Sequence, residues 1–295
     1  NQLGGEFLVN GSVISSQYQP AVTALASGGF VVSWYNDYYD ASGTGSAADV
    51  YVREYAADGS PVGAEVKVNS PSGSYYQYEP AIAHLGSDNF VVVWRSDGQD
   101  GSSSGVYAQR FSAAGVAVGP EVRVNSATAG EQSYPQVAGL SDGGYVIVWD
   151  DNSGADGEGL GVLGQRFGAD GSPAGEAFVV NTTTFGYQFQ GAIASYAGGF
   201  AVVWASDSYV PGGDSDDIYL TRYDNAGNVL GTPEQRVSVS PGSADAQPQL
   251  RRIKRTGHHA PVNAFAGVEL IAGAEMLQPA VDLLAAGDLG LDRRA

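Results

Sequence analysis

An apolar run ending in tryptophan recurs along the chain, at 30–34 (FVVSW), 90–94 (FVVVW), 145–149 (YVIVW) and 200–204 (FAVVW), and these runs contain all four Trp residues. Neighbouring positions within each run are apolar, the pattern of a strand covered on both faces. The same order of segments returns around every run. A small-residue stretch such as 80–85 precedes it and an acidic Gly/Ser loop follows it. Next comes an Arg-aromatic segment: YVREY with Arg53, YAQRF with Arg110, LGQRF with Arg166 and YLTRY with Arg222. A last strand of alternating character, 121–125 in the clearest copy, closes the unit, and its equivalents end at Asn69, Asn125, Asn181 and Ser238. The period is 55 to 60 residues, a length that signals a repeat architecture. Between third and fourth segments, AADGSPVG at 56–63 and GADGSPAG at 168–175 carry the Asp-Gly chemistry of antiparallel hairpins.

Four antiparallel strands per unit predict an all-β chain, a β-propeller of four-stranded blades at about 20–70, 80–126, 135–182 and 191–238. Residues 6–10 match only the last strand of a unit, and the string PQL from Pro248 matches only the start of one. A closed ring would join the two as one shared blade; a ring of which this chain is a piece would hold about six to eight blades. A row of small sandwiches and a β-solenoid are the competing arrangements. From Leu250 the pattern fails, because RRIKRTGHH stands where the next GGFVVVW is due. Residues 249–295 carry six Lys/Arg against five Asp/Glu, whereas residues 1–248 carry eight against 27. This atypical tail reads either as a shifted reading frame or as an Ala/Leu-rich helical segment near 269–286. The chain begins in mid-pattern at Asn1 and reads as a fragment or a processed product.

Composition narrows the chemistry. The absence of Cys excludes disulfides and thiolate sites, so a metal would take oxygen ligands, with calcium the natural candidate. A net charge of -18 repels phosphate backbones and argues against nucleic acid. No run approaches the ~18 apolar residues of a membrane span.

In such a blade the loop after the second strand opens on the same face as the link to the next blade. On that face the acidic loops offer Asp37 and Asp40, Asp97 and Asp100, Asp151 and Asp156, and Asp207 and Asp214 as calcium ligands, alongside Asp150 and Glu158. The alternative is that these Asp side chains cap their own turns. The links add Gln17, Tyr18, Gln77, Tyr78, Gln132, Gln188 and Phe189, rings and amides suited to a glycan, or else to packing between blades. Paired carboxylates can hydrolyse glycosides, but 32 acidic residues supply pairs by chance and sequence gives no separation. His84 is the only His of the repeats, which disfavours a Ser-His-Asp site. The expectation is a non-catalytic binding or adhesion module, not an enzyme, that takes calcium, a glycan or both. A ligand-free structural spacer and a polysaccharide hydrolase are the alternatives.

The strings GGFVVVW, W-x-S-D-G-x-D-G, G-V-Y-A-Q-R-F and E-x-x-V-N resemble the tandem repeats of very large secreted bacterial proteins of the RTX and adhesin type. GGDSDDIYL at 212–220 is similar to one degenerate copy of their calcium-binding nonapeptide. The resemblance implies an extracellular or cell-surface location, calcium exposure and an adhesive role toward a glycan or cell-surface polymer. It also implies other domains on a parent chain, and the lack of a long apolar run argues against membrane insertion.

Overall fold

The structure, a computed structural model, describes residues 4–11, 15–39, 46–70, 75–207 and 217–238. Asp40, Asp214, the nonapeptide-like string up to residue 216, Pro248 and the tail with both of its readings lie outside them.

The described residues form four four-stranded antiparallel sheets, each in simple chain order, and no helix. The first holds β1 (Ser16–Ala24), β2 (Phe30–Tyr39), β3 (Ser46–Tyr55) and β4 (Val66–Lys67). The second holds β5 (Gln77–His84), β6 (Phe90–Asp97), β7 (Ser104–Phe111) and β8 (Ala117–Arg123). The third holds β9 (Gln132–Gly139), β10 (Tyr145–Asp151), β11 (Gly161–Phe167) and β12 (Phe178–Val179). The fourth holds β13 (Tyr187–Tyr196), β14 (Gly199–Asp207), β15 (Asp217–Asp224) and β16 (Gln235–Arg236). First strands of successive sheets lie against one another, so the sheets are the blades of a β-propeller, with the first strand innermost.

The Trp-ended runs are the blade centres. Trp94, Trp149 and Trp204 are fully buried, and each packs in a cluster that spans two blades. Val68 of blade one meets Phe90, Val92, Trp94 and Phe111 of blade two. Val124 meets Tyr145, Ile147, Trp149 and Phe167 of blade three, and Val180 meets Phe200, Val202, Trp204 and Tyr223 of blade four. Stacked rings tie the start of each second strand to the end of the third: Phe30–Tyr55, Phe90–Phe111, Tyr145–Phe167 and Phe200–Tyr223, at 5.1, 5.0, 4.8 and 4.8 Å. The Gly before Phe30, Tyr145 and Phe200 is required by close approach. A Cβ on Gly29, Gly144 or Gly199 would stand 2.4, 2.6 or 1.9 Å from the carbonyl oxygen of Tyr55, Phe167 or Tyr223.

One element of the repeat differs from its sequence reading. Arg110, Arg166 and Arg222 pair with Val91, Val146 and Ala201, but the residue opposite the equivalent Val31 is Glu54. Arg53 sits one place earlier, opposite Val32, in the slot of Gln109 and Gln165. A shift of one residue puts a strand side chain on the other face. Arg110 and Arg166 therefore reach forward to carbonyls in the turn of the next blade, at Ala169 and Ala226. Arg53 reaches backward to Val9 O at 3.0 Å.

Candidate functional site

Each innermost strand carries a β-bulge where its register with the second strand slips. Gln19, Glu79, Tyr134 and Gln190 occupy equivalent places in these bulges, with φ of 48°, 57°, 51° and 55°. Three of them precede proline, at Pro20, Pro80 and Pro135. A bulky residue before proline is normally held to extended conformations, so these backbones are strained and the scaffold imposes the shape. A bulge redirects its side chain. Here the redirected side chains run from blade to blade. Gln19 Oε1 accepts the Glu79 N–H at 3.0 Å, and Glu79 Oε2 accepts the Tyr134 N–H at 2.7 Å. At the next junction Asp150 takes over, and its Oδ2 accepts the Gln190 N–H at 2.9 Å.

Glu79 is the only carboxylic acid of the four. Its side chain is 10% exposed and faces Arg95 of β6, with Oε1 3.9 Å from Nη1. Arg95 also donates from Nε to Asp97 Oδ1 at 3.0 Å and from Nη1 to Glu131 Oε1 at 2.5 Å. Its guanidinium lies over the Tyr78 ring, 4.9 Å from the centroid, and the Tyr78 hydroxyl donates to Asp97 Oδ2 at 2.5 Å. One cation thus gathers three carboxylates and a phenol on the loop face.

The electrostatics follow from burial and this crowding. Desolvation pushes the Glu79 carboxyl up to about 7, against the pull of Arg95 and of the Tyr134 N–H, while Glu131 and Asp97 add repulsion. Burial likewise raises the Tyr78 hydroxyl. Burial opposes the charge on Arg95, but Glu79, Tyr78, Asp97 and Glu131 outweigh it and hold the guanidinium more firmly protonated than usual. A carboxyl that holds its proton near neutrality beside others paired to a cation is the arrangement needed to give a proton and take one.

The structure distributes the sequence-derived candidates differently. Asp97 and Tyr78 enter this cluster. Gln77 and Gln132 are 2% and 0% exposed, and so is Gln188 at 0%. Gln77 Oε1 accepts the Trp94 indole N–H at 2.7 Å. Gln17, Gln132 and Gln188 accept from the Asn that closes the preceding unit, Asn10, Asn125 and Asn181, at 3.0, 3.0 and 3.2 Å. Gln17, Gln132 and Gln188 thus fasten blade to blade, whereas Gln77 bonds within blade two. Tyr18 is exposed and tilts against Tyr35, with centroids 5.4 Å apart, and Phe189 is half-buried in β13.

The acidic loops bond mostly to themselves. Asp100 Oδ1 accepts the Ser102 N–H at 3.0 Å. Asp151 accepts the Trp149 indole N–H at 3.0 Å and the Ser153 N–H at 2.8 Å. Asp156 accepts from the Glu158 N–H at 3.2 Å and from Asn181 Nδ2 at 3.1 Å. Asp37 lies near the end of β2 and Asp207 ends β14, in different blades. Among the described residues no group of three or more His, Asp or Glu side chains comes together as a metal site.

Arg95 and Glu131 were not among the sequence candidates, and Glu79 stood only at the end of the candidate link 77–79 without a role of its own. The signal was present, since Gln19-Pro20, Glu79-Pro80 and Tyr134-Pro135 open three of the units and only one of them is acidic.

No protein-family model matches the chain and no curated protein matches it. Solved structures share the fold. One is the α-L-arabinofuranosidase of Fusarium graminearum in complex with an iminosugar inhibitor, with a TM-score of 0.53 and 11% identity, covering 74% of this chain and 65% of that one. Another is the α-L-arabinanase of Penicillium chrysogenum complexed with arabinobiose, with a TM-score of 0.51 and 14% identity, covering 76% of this chain and 67% of that one. This chain therefore spans 65% of the length of the arabinofuranosidase. At such identity the likeness establishes the propeller fold.

The expectation of a non-catalytic, calcium-binding adhesion module that is not an enzyme is corrected on two counts. Two propellers that share the architecture are an α-L-arabinofuranosidase and an α-L-arabinanase. Of the loop carboxylates assigned to calcium, Asp100, Asp151 and Asp156 accept hydrogen bonds from within their own blades.

Proposed function

We propose that the chain is the propeller of a glycan-cleaving hydrolase, with Glu79 as the proton donor. The observation that carries this reading is the buried Glu79 carboxyl, pushed up to about 7 and set in a strained bulge beside Asp97 and Glu131. Glu79 would give its proton to the glycosidic oxygen as the bond from that oxygen to the anomeric carbon breaks. A water would attack the anomeric carbon and lose its proton to one of the carboxylates held by Arg95. Tyr134 N–H fixes Oε2 and leaves Oε1 for the transfer. The sugars bound by the two fold relatives, an iminosugar and arabinobiose, make arabinose-containing glycans the first substrates to try. The extracellular setting implied by the repeats is where such polymers are met.

The test is release of reducing ends from arabinan, arabino-oligosaccharides and a panel of other polysaccharides. Glu79→Gln is expected to lower turnover by ~10²–10⁴-fold without lowering Tm, since a Gln carbonyl still accepts from Tyr134 N–H. Activity that survives Glu79→Gln, or no release from any glycan, refutes the reading.

A further inference from the structure

Two exceptions to the repeat meet at one place on the outer side of blades two and three. The first concerns a cation of the fourth strand. Lys67, Arg123 and Arg236 stand opposite Tyr51, Tyr107 and Tyr219. Lys67 and Arg236 each pair with the Asp two residues before that Tyr, Asp49 and Asp217, both at 2.7 Å. In blade two the equivalent residue is Gly105. Asp100 Oδ2 takes up the space from the loop, 2.9 Å from the position of a Cβ on Gly105, but its partner there is Asn125 Nδ2, at 3.5 Å. Arg123 is left exposed, and its side chain has no ion pair among the described residues.

The second exception concerns an acceptor. Glu65, Glu121 and Glu234 accept the N–H of Gly11, Ser70 and Thr182, at 2.8, 2.8 and 2.7 Å. These donors follow Asn10, Asn69 and Asn181. At the junction of blades two and three the donor is Ser126, which follows Asn125, and Ala177 stands where the Glu belongs. A carboxylate is thus absent twice over. At the same place the surface opens into a cleft of about 580 Å³, with Gln99, Asp100, Tyr107, Arg123, Ser126 and Glu176 in its lining. The size is that of a small-molecule site, ~300–1,000 Å³. None of these residues belongs to the Glu79 cluster. Burial, and then the Asp100 charge, push the Tyr107 hydroxyl up to about 12, so it stays a donor.

We propose that this cleft binds the carboxylate of an acidic glycan, a uronic acid unit, with Arg123 and the Ser126 N–H holding the anion as their counterparts hold Asp and Glu elsewhere in the repeat. Arginine offers a carboxylate two parallel donors. A single negative charge suits the place, because a phosphate dianion would be repelled more strongly by Asp100 and Glu176. Those two acids and the Tyr107 hydroxyl are partners for hydroxyls, which a sugar ring carries and the acidic side chain of a peptide lacks.

The test is isothermal titration of the full chain at low salt with a xylo-oligosaccharide that bears one glucuronic acid. The same oligosaccharide without the acid, inorganic phosphate and a glutamate-containing peptide are the comparison probes. The acidic oligosaccharide is expected to bind best, more weakly as salt rises, and roughly tenfold or more weakly to Arg123→Ala, with part of the loss restored in Arg123→Lys. Ala177→Glu is expected to abolish binding by placing the chain's own carboxylate on the Ser126 N–H, while its denaturation midpoint rises. No binding, binding that survives both Arg123→Ala and Ala177→Glu, equal affinity for the neutral oligosaccharide, or tighter binding of phosphate or peptide each overturns the proposal. Glu79→Gln is expected to bind as the native chain does, so a failure of the hydrolase reading would show as absent cleavage with this binding intact.

Discussion

Glu79 sets a pH dependence whose sign can be worked out. Its carboxyl is pushed up to about 7 by burial and, less strongly, by the neighbouring Glu131 and Asp97. The folded chain therefore holds a proton that the unfolded chain releases at an ordinary carboxylate pKa near 4.5. Its contribution is full below about 4.5 and is lost as pH rises to about 7, a change on the order of 3 kcal/mol. Urea titrations from pH 4.5 to 8 are expected to show this decline in the native chain and its absence in Glu79→Gln. Equal slopes in the two would show that Glu79 is ionised throughout. Under the proposed role of Glu79 as proton donor, hydrolytic rate should fall over the same upper limb, because the carboxyl is then unprotonated. At this scale the sequence was a poor guide. Asp97 was visible as the third residue after Trp94, but the burial of Glu79 depends on a bulge and on Arg95, and neither leaves a periodic trace. Conversely, Gln17, Gln132 and Gln188 recur as a ligand-binding set would, yet recurrence also marks a fastener between blades.

The blade is the element, and its regularity lets its exceptions be read. The equivalent Glu of the closing segment, Glu65, Glu121 or Glu234, accepts the backbone N–H that follows the previous closing Asn. Blade three has Ala177 there. Ala177→Glu is expected to supply the acceptor for Ser126 N–H and to raise stability by ~0.5–1.5 kcal/mol, measured by chemical denaturation; an unchanged midpoint would show that the site is already satisfied by water. The closing Asn has the larger share. Asn125 Oδ1 accepts the buried Val106 N–H at 2.8 Å while its Nδ2 reaches Gln132. Asn125→Ala leaves that N–H without its side-chain acceptor and should cost ~1–3 kcal/mol. Strand order, the Trp-ended centres and the hairpin turns were all legible in the sequence, because period, apolar runs and Asp-Gly pairs report on local geometry. The register of Arg53 was not, since a one-residue offset leaves the motif looking intact while it reverses the face.

For the whole molecule, stability is a sum over junctions between like units. Blades two and three are covered on both sides, whereas blades one and four each expose one face among the described residues. Amide exchange is therefore expected to be slowest in β6 and β10 and faster in β2 and β14, with local opening starting at the two open faces. Uniform protection across all four second strands would mean that the open faces do not loosen their blades. The net charge of -18 acts at this scale as well, through self-repulsion that salt screens, so moderate ionic strength should help the chain stay compact.

The bulges of the innermost strands carry one more implication. Their backbone shape is held by the sheet and not by the residue displayed, since Gln, Glu and Tyr all adopt it at φ near 50°. Each stands at a junction between blades, and the residue displayed there differs from blade to blade while the sheet behind keeps its form. A library varied only at Gln19, Glu79, Tyr134 and Gln190 would search chemistry at fixed architecture, much as replacing the bits of a drill leaves the motor untouched.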